Sequence, residues 1–244
     1  MRVVDAVWEK RNLGVEAKTI HFSMDDKIED VIECLKNTHA EYIDARVPSQ
    51  RTDITHALAE ANYEYMEDII SFVSPLQEVV RPKVMQRMYD EVKVCEADDE
   101  AIKEIFEEIR KGLFATERIS VDPHFTDKAA GRYNSWIQEE LGRGSKLYNY
   151  VYKGERIGFF GLKEREKGIY DSLWGGIYGK YRKSGIGAVV KVPEFVKSLN
   201  GKKVYAYASS NNVKQVRNLI TNGYTVEKLS LIHISEPTRH AQIS

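Results

Sequence analysis

Six residues, Arg182-Lys183-Ser184-Gly185-Ile186-Gly187, stand between a stretch with strand character (169–178) and one with helical spacing (about 186–199). Such a loop aims successive backbone N–H groups at the start of a helix, where the helix dipole attracts negative charge. Glycines let the backbone come close to an anion, and Arg182 and Lys183 add mobile positive charge. The segment calls for a strand–loop–helix unit and predicts a phosphate or pyrophosphate ligand. Two other glycine loops are excluded. A dinucleotide loop needs a third glycine where Val190 stands, and a Walker loop needs Gly-Lys-Ser/Thr after four spacers. A surface turn that merely needs glycine is the alternative.

The elements around the loop bear on that choice. Before it, residues 91–96 read as a strand, and Asp98 or Asp99 caps a helix with apolar face Ile102, Ile105, Phe106, Ile109 and Leu113. Residues 114–125 read as a loop, and Thr126 as the cap of a helix over 127–141. Strands follow at 146–152, 156–162 and 169–178, the first two joined by a turn at Lys153-Gly154-Glu155. After the loop, Pro193 bends or disturbs the helix. A strand at 203–209, a helix at 212–222 and a strand at Thr225–Lys228 complete this part. The order from 91 to 228 is β-α-α-β-β-β-α-β-α-β.

Residues 1–85 read as a smaller α/β unit. Strand 15–22 leads to a helix started by Asp26, with Glu29 as capping-box partner and Ile28, Val31, Ile32 and Leu35 at helical spacing. Strand 40–46, a helix from Asp53 to about Ala61 and a long strand at 63–74 follow, and Pro75 and Pro82 mark a connection. The fold class is α/β with a mixed sheet, in domains 1–85 and 90–228.

Composition narrows the function. The 244 residues carry 36 basic and 37 acidic side chains, a formal charge of −1, which is no nucleic-acid footprint. Cys34 and Cys95 are too few for a disulfide framework and read as buried small hydrophobes in a reducing compartment. The histidines lack metal-ligand spacing, so no metal is expected. The first ten residues lack a signal-peptide stretch and no apolar run spans a bilayer, so a cytoplasmic protein is expected.

The pattern R-x-x-G-x-G after a long strand resembles the acetyl-CoA signature of GNAT acetyltransferases. Trp8-Glu9, Leu13-Gly14-Val15, Asp122-Pro123…Phe125, Gly131-Arg132-Tyr133 and Trp136-Ile137 resemble, within that family, the dTDP-fucosamine acetyltransferases. The resemblance covers nearly all of 1–228. It implies a GNAT acyltransferase fold preceded by a small partial GNAT-like domain, with acetyl-CoA as co-substrate. It also implies that the strands at 169–178 and 203–209 splay to admit the acyl arm. Residues Arg182, Lys183, Ser184, Gly185, Ile186, Gly187 and Ala188 would hold the pyrophosphate, and Ile177, Tyr178 and Gly179 would line the cofactor. Gly175-Gly176 would suit a bulge near the acetyl group. Asn211 and Asn212 match a CoA-contacting asparagine, and they equally suit an N-cap.

The implied acceptor is a small-molecule amine, the 4-amine of a nucleotide-linked sugar, with neither nucleic acid nor membrane as partner; a homodimer is left open. Arg118, His124 and Arg132 fall in the substrate region, where Arg suits a phosphate. Glu117 and Asp171 are candidate bases, each also readable as a surface carboxylate. The family's general-acid tyrosine aligns with Leu219, which has no proton to give. Tyr178 or Tyr207 are candidate substitutes, each also readable as core. Another amine, peptide or metabolite, and a catalytically weak acyl-CoA-binding module are the alternatives.

The segment Leu229–Arg239 resembles an in-frame translation of a transposase sequencing adapter, so 229–244 is expected to be a non-native tail, with the native chain diverging after about Lys228. Its Leu and Ile residues suit a strand through about Ile234 beside 203–209, stopped by Glu236-Pro237, with 236–244 disordered.

Overall fold

The structure, a computed structural model, describes residues 1–235. In chain order the first elements are β1 (Arg2–Asp5), α1 (Val7–Leu13), β2 (Ala17–His21), α2 (Ile28–Asn37), β3 (Tyr42–Pro48), α3 (Thr52–Glu60) and β4 (Glu64–Ser74). Next come α4 (Lys83–Glu91), β5 (Lys93–Glu96), α5 (Asp99–Arg110), α6 (Arg118–Val121) and α7 (Ala129–Gly142). Strands β6 (Lys146–Tyr152), β7 (Glu155–Glu166) and β8 (Ile169–Ile177) follow, then α8 (Val192–Ser198), β9 (Lys203–Ser209), α9 (Val213–Thr221) and β10 (Thr225–Ser235). The described residues pack as two compact units, 1–69 with 229–235, and 70–228. The boundary expected between 85 and 90 falls inside α4.

In the first unit β1 runs antiparallel to β2 (Val3 opposite Ile20), and β2 runs parallel to β3 (Thr19 opposite Asp44). Leu231 of β10 pairs antiparallel with Val47 of β3. Ile20, Val31, Ile43, Val47, Ile54 and Leu58 form its core. Asp26 does not start α2. Its carboxylate accepts from the N–H and hydroxyl of Ser23 and Lys27 occupies the cap, so the expected capping box is absent. That local bond competes with capping for the same oxygens.

In the second unit β5, β6, β7 and β8 form an antiparallel run, and β9 joins β8 in parallel. Lys153 and Gly154, at φ 51° and 84°, make the two-residue turn that matches the twist of β6 and β7. Phe159 and Phe160 are adjacent on β7 and both fully buried. Successive strand residues face opposite sides. Phe159 packs with Ile105 and Ile109 of α5 and Ile137 of α7, while Phe160 packs with Val189, Val192 and Val196 around α8. The sheet is therefore covered on both faces.

Several expectations change here: Cys95, expected to be buried, is exposed, and Cys34 is half-buried. Asp98 caps α5, its carboxylate accepting from Ala101 N–H at 2.8 Å. Thr126 is not a cap; it lies in a 3-10 turn and its hydroxyl bonds Ser120 O, while α7 starts at Ala129. The loop expected over 114–125 contains α6. The neighbour of β9 away from β8 is β4, with β10 beyond it. The terminal strand does run through Ser235 but does not pair beside 203–209. Within 70–228, Thr225 Oγ1 bonds Val73 O at 3.3 Å. The stop expected at Glu236-Pro237 and the disorder expected over 236–244 both lie outside the described residues.

Candidate functional site

The parallel ladder between β8 and β9 is short. Ile169, Tyr170, Asp171 and Ser172 face Lys203, Val204, Tyr205 and Ala206, and pairing ends there. On the other side of β8, Leu162 pairs Ser172 and Gly161 pairs Trp174, so Leu173 is an extra residue. An extra residue bends its strand and breaks the local ladder. The two central strands thus part after Ser172 and Ala206, as the resemblance implied. The bulge is at Leu173 and not at Gly175-Gly176, which pair regularly with Phe160 and Phe159. The glycine pair serves close packing. A Cβ on Gly176 would meet Leu113 at 2.8 Å, and one on Gly175 would meet Ala188 O at 3.2 Å.

The glycine loop sits beyond this gap. Gly185 has φ 81°, a left-handed value suited to glycine. Ser184 N–H bonds Tyr181 O and its hydroxyl accepts from Ile186 N–H at 3.2 Å. The N–H groups of Gly185, Gly187, Ala188 and Val189 have no acceptor among the described residues. Lys183 is exposed, and one guanidinium N–H of Arg182 donates to Gly112 O at 3.1 Å. Free amides beside two cations suit an anionic group.

The helix expected from 186 begins only at Val192, after turns at 188–191. Pro193 lies in its first turn, where a fixed φ and a missing N–H cost nothing, so it starts the helix instead of bending it. The loop amides and cations therefore stand apart from the start of α8. Ala188 is fixed from below by Tyr150, whose buried hydroxyl donates to Ala188 O at 2.8 Å; burial raises that phenol's pKa. Ile177 and Ile186 are buried in the same core, and Gly179 N–H donates to Glu108 at 3.1 Å.

Asn212 caps α9 through Gln215 N–H at 3.1 Å, and Asn211 N–H bonds Ser209 Oγ at 3.2 Å. Leu219 is fully buried in the core. The α9 side chain that meets the loop is Asn218, whose Oδ1 would be 1.8 Å from a Cβ on Gly187. Asn218 also accepts from Asn222 Nδ2 at 3.0 Å, and Arg81 donates to Asn222 Oδ1 at 2.9 Å. Sequence reading passed over Asn218, although Gln215, Asn218 and Asn222 form a polar stripe at helical spacing.

The catalytic candidates are scattered. Tyr178 packs with Ile105 and Ile109 under α5, and burial raises its hydroxyl's pKa. Asp171 is buried with both oxygens held by Arg165, and this pairing raises the pKa of the guanidinium. Arg165 also donates to Tyr207 Oη at 2.8 Å; nothing in its sequence context marks it. Glu117 is the N-cap residue of α6, without a side-chain cap bond. Arg118 is buried on α6, His124 is exposed, and Arg132 lies over the Tyr133 ring at 5.7 Å. Among the described residues no cluster of His, Cys, Asp and Glu is placed to hold a metal, and no helix is long and apolar enough to cross a membrane.

No protein-family model and no curated protein matches the chain. Solved structures do. A functionally unknown conserved protein from Staphylococcus epidermidis aligns with TM-score 0.58 at 12% identity, over 90% of this chain and 83% of that one. A GCN5-related N-acetyltransferase from Kribbella flavida aligns with TM-score 0.53 at 12% identity, over 92% and 82%. One from Sphaerobacter thermophilus gives 0.53 at 14% identity, over 80% and 60%. At these identities the likeness is one of fold: a mixed α/β chain with the GNAT acyltransferase fold.

Proposed function

We propose that this chain is an acetyl-CoA-dependent N-acetyltransferase that passes the acetyl group directly to a primary amine. The observation that carries the reading is the parting of β8 from β9 at Leu173, beside a loop with four unpartnered N–H groups. An extended acyl arm suits the gap, where the free edge of β8 supplies backbone partners, and the pyrophosphate suits the loop with Arg182 and Lys183. Acetyl-CoA supplies the activated thioester. The neutral amine attacks the carbonyl carbon, the C–N bond forms, the C–S bond breaks and the thiol leaves. Backbone N–H groups along the parted edge of β8 stabilise the oxyanion.

The acceptor proposed is the 4-amine of a nucleotide-linked sugar in the cytoplasm, with Arg118, His124 and Arg132 toward its phosphates. This rests on the sequence resemblance. One observation favours a second reading, a weakly catalytic acyl-CoA-binding module: the position aligned with the family's acid holds Leu219, fully buried. The segment 229–244 is proposed as adapter-derived; independent reads of the source DNA running unbroken through these codons would refute that.

Calorimetry with acetyl-CoA and a thiol-release assay over an amine panel test the function. Gly185→Val removes both the left-handed backbone and the close approach, so acetyl-CoA binding should be lost. Unchanged affinity sinks the loop assignment. Binding without turnover on any amine favours the module, and turnover only with peptide or metabolite amines removes the sugar.

A further inference from the structure

Transfer to an amine leaves a thiolate, which needs a proton, and neither Leu219 nor the buried Tyr178 is placed to give one. The molecule offers another phenol where the strands part. Tyr207 directly follows Ala206, the last β9 residue paired with β8. Val204, Ala206 and Ala208 are buried in the core around α8, so the alternation of the strand turns Tyr205 and Tyr207 to the opposite face. Tyr207 is 46% exposed there. Its oxygen accepts a hydrogen bond from Arg165 at 2.8 Å, and Arg165 is held by the buried Asp171 and lies 4.8 Å over the Tyr205 ring. That face also carries α7: Lys163, opposite Asp171 in the ladder, bonds Glu140 of α7 at 2.7 Å.

A phenol whose oxygen already accepts from a cation keeps its own O–H proton free to donate, and the phenolate it leaves is stabilised by the same guanidinium. The glycine loop packs from the other face, through Ala188 against Gly175. Donor and acceptor would meet at the gap from opposite sides, with Tyr207 on the acceptor side.

We propose that Tyr207 is the general acid of the transfer, with Arg165 and Asp171 as positioning residues. This rests on the acetyltransferase reading above. As the C–S bond breaks its electron pair passes to sulfur, and the Tyr207 O–H proton follows to give the free thiol. The surplus proton of the amine passes to water, and water reprotonates the phenolate, so no other reactant is needed.

The test compares wild type, Tyr207→Phe, Arg165→Gln and the double variant, using an acceptor found in the amine panel. Tyr207→Phe should keep acetyl-CoA affinity by calorimetry and lose about 10²-fold or more in kcat. With an aryl thioester of acetate, whose leaving thiolate needs no proton, Tyr207→Phe and wild type should react alike. Arg165→Gln should lower kcat by less, and the double variant should be no slower than Tyr207→Phe. A Tyr207→Phe enzyme within about twofold of wild type on acetyl-CoA overturns the proposal, since an acid is worth far more. Equal losses with both donors also overturn it, because that marks a structural role. If wild type releases no thiol with any amine, the acetyltransferase reading falls and takes this inference with it.

Discussion

Gly187 lies against the side-chain amide of Asn218, so closely that a Cβ on Gly187 would stand 1.8 Å from Asn218 Oδ1. The glycine loop and α9 are therefore fitted to one another at this point. Gly187→Ala must push Asn218 away from Asn222. It is expected to cost about 1–3 kcal/mol of stability, the usual range for overpacking, and to weaken acetyl-CoA binding. Asn218→Ala in the same chain makes room, so urea unfolding of the two single variants and the double should show a favourable coupling of about 1 kcal/mol or more. Additive losses would contradict the contact.

Tyr150 holds the same loop from the core side through Ala188 O. Tyr150→Phe keeps the ring but strands a buried carbonyl, at a cost of about 1–3 kcal/mol. Urea denaturation should show that loss and calorimetry a weaker grip on acetyl-CoA. A loss of stability with unchanged affinity would show that the bond serves the core alone.

The ring of Trp174 lies on Gly161, where a Cβ would meet Cε3 at 2.3 Å, and it meets Trp136 edge-on at 5.2 Å. Gly161→Ala must tilt both indoles. Expected are a loss of about 1–3 kcal/mol and a changed tryptophan emission in the folded protein. An unaltered spectrum with full stability would show that the sheet relaxes without moving Trp174.

Glu140 on α7 accepts from Lys163 at 2.7 Å, Arg143 at 2.7 Å and Ser145 at 3.1 Å. Burial pushes its pKa up, but these three donors outweigh it and the carboxylate ends below its ordinary value. A carboxylate with a lowered native pKa contributes stability that is complete above the unfolded-state value. That contribution is lost as pH falls through the native value. Glu140→Gln should therefore cost about 1–2 kcal/mol at neutral pH, discounted for the exposed end of Arg143. The gap to wild type should close in urea titrations on acidification. A gap that widens toward acid would reverse the assigned sign.

Much of residues 91–228 was legible because its signals are local. Asp98 caps α5 with its own side chain, Lys153 and Gly154 adopt the left-handed pair that a two-residue hairpin requires, and the strands at 146–152, 156–162 and 169–178 lie within a residue or a few of β6, β7 and β8. The caps that failed, Asp26 and Thr126, failed because each side chain found a nearer partner, Ser23 in one case and Ser120 in the other. The short segments β1, α1 and α4 were missed, since a few residues carry too little periodicity to read.

The sequence by itself determined the longer strands and helices and that a glycine loop lies between β8 and α8. Those properties depend on neighbours a few residues away: turn conformation, capping and the alternation of apolar side chains. Only the tertiary structure decided where β8 leaves β9, that the bulge is Leu173 and not the glycine pair, that β4 sits beside β9, that Asn218 meets Gly187 and that Arg165 bonds Tyr207. A bulge is a register between two strands, and a contact such as Arg165 to Tyr207 joins residues 42 apart in the chain. Neither is a property of one segment, so neither is written in any single stretch of sequence; each follows from which surfaces the folded core brings together.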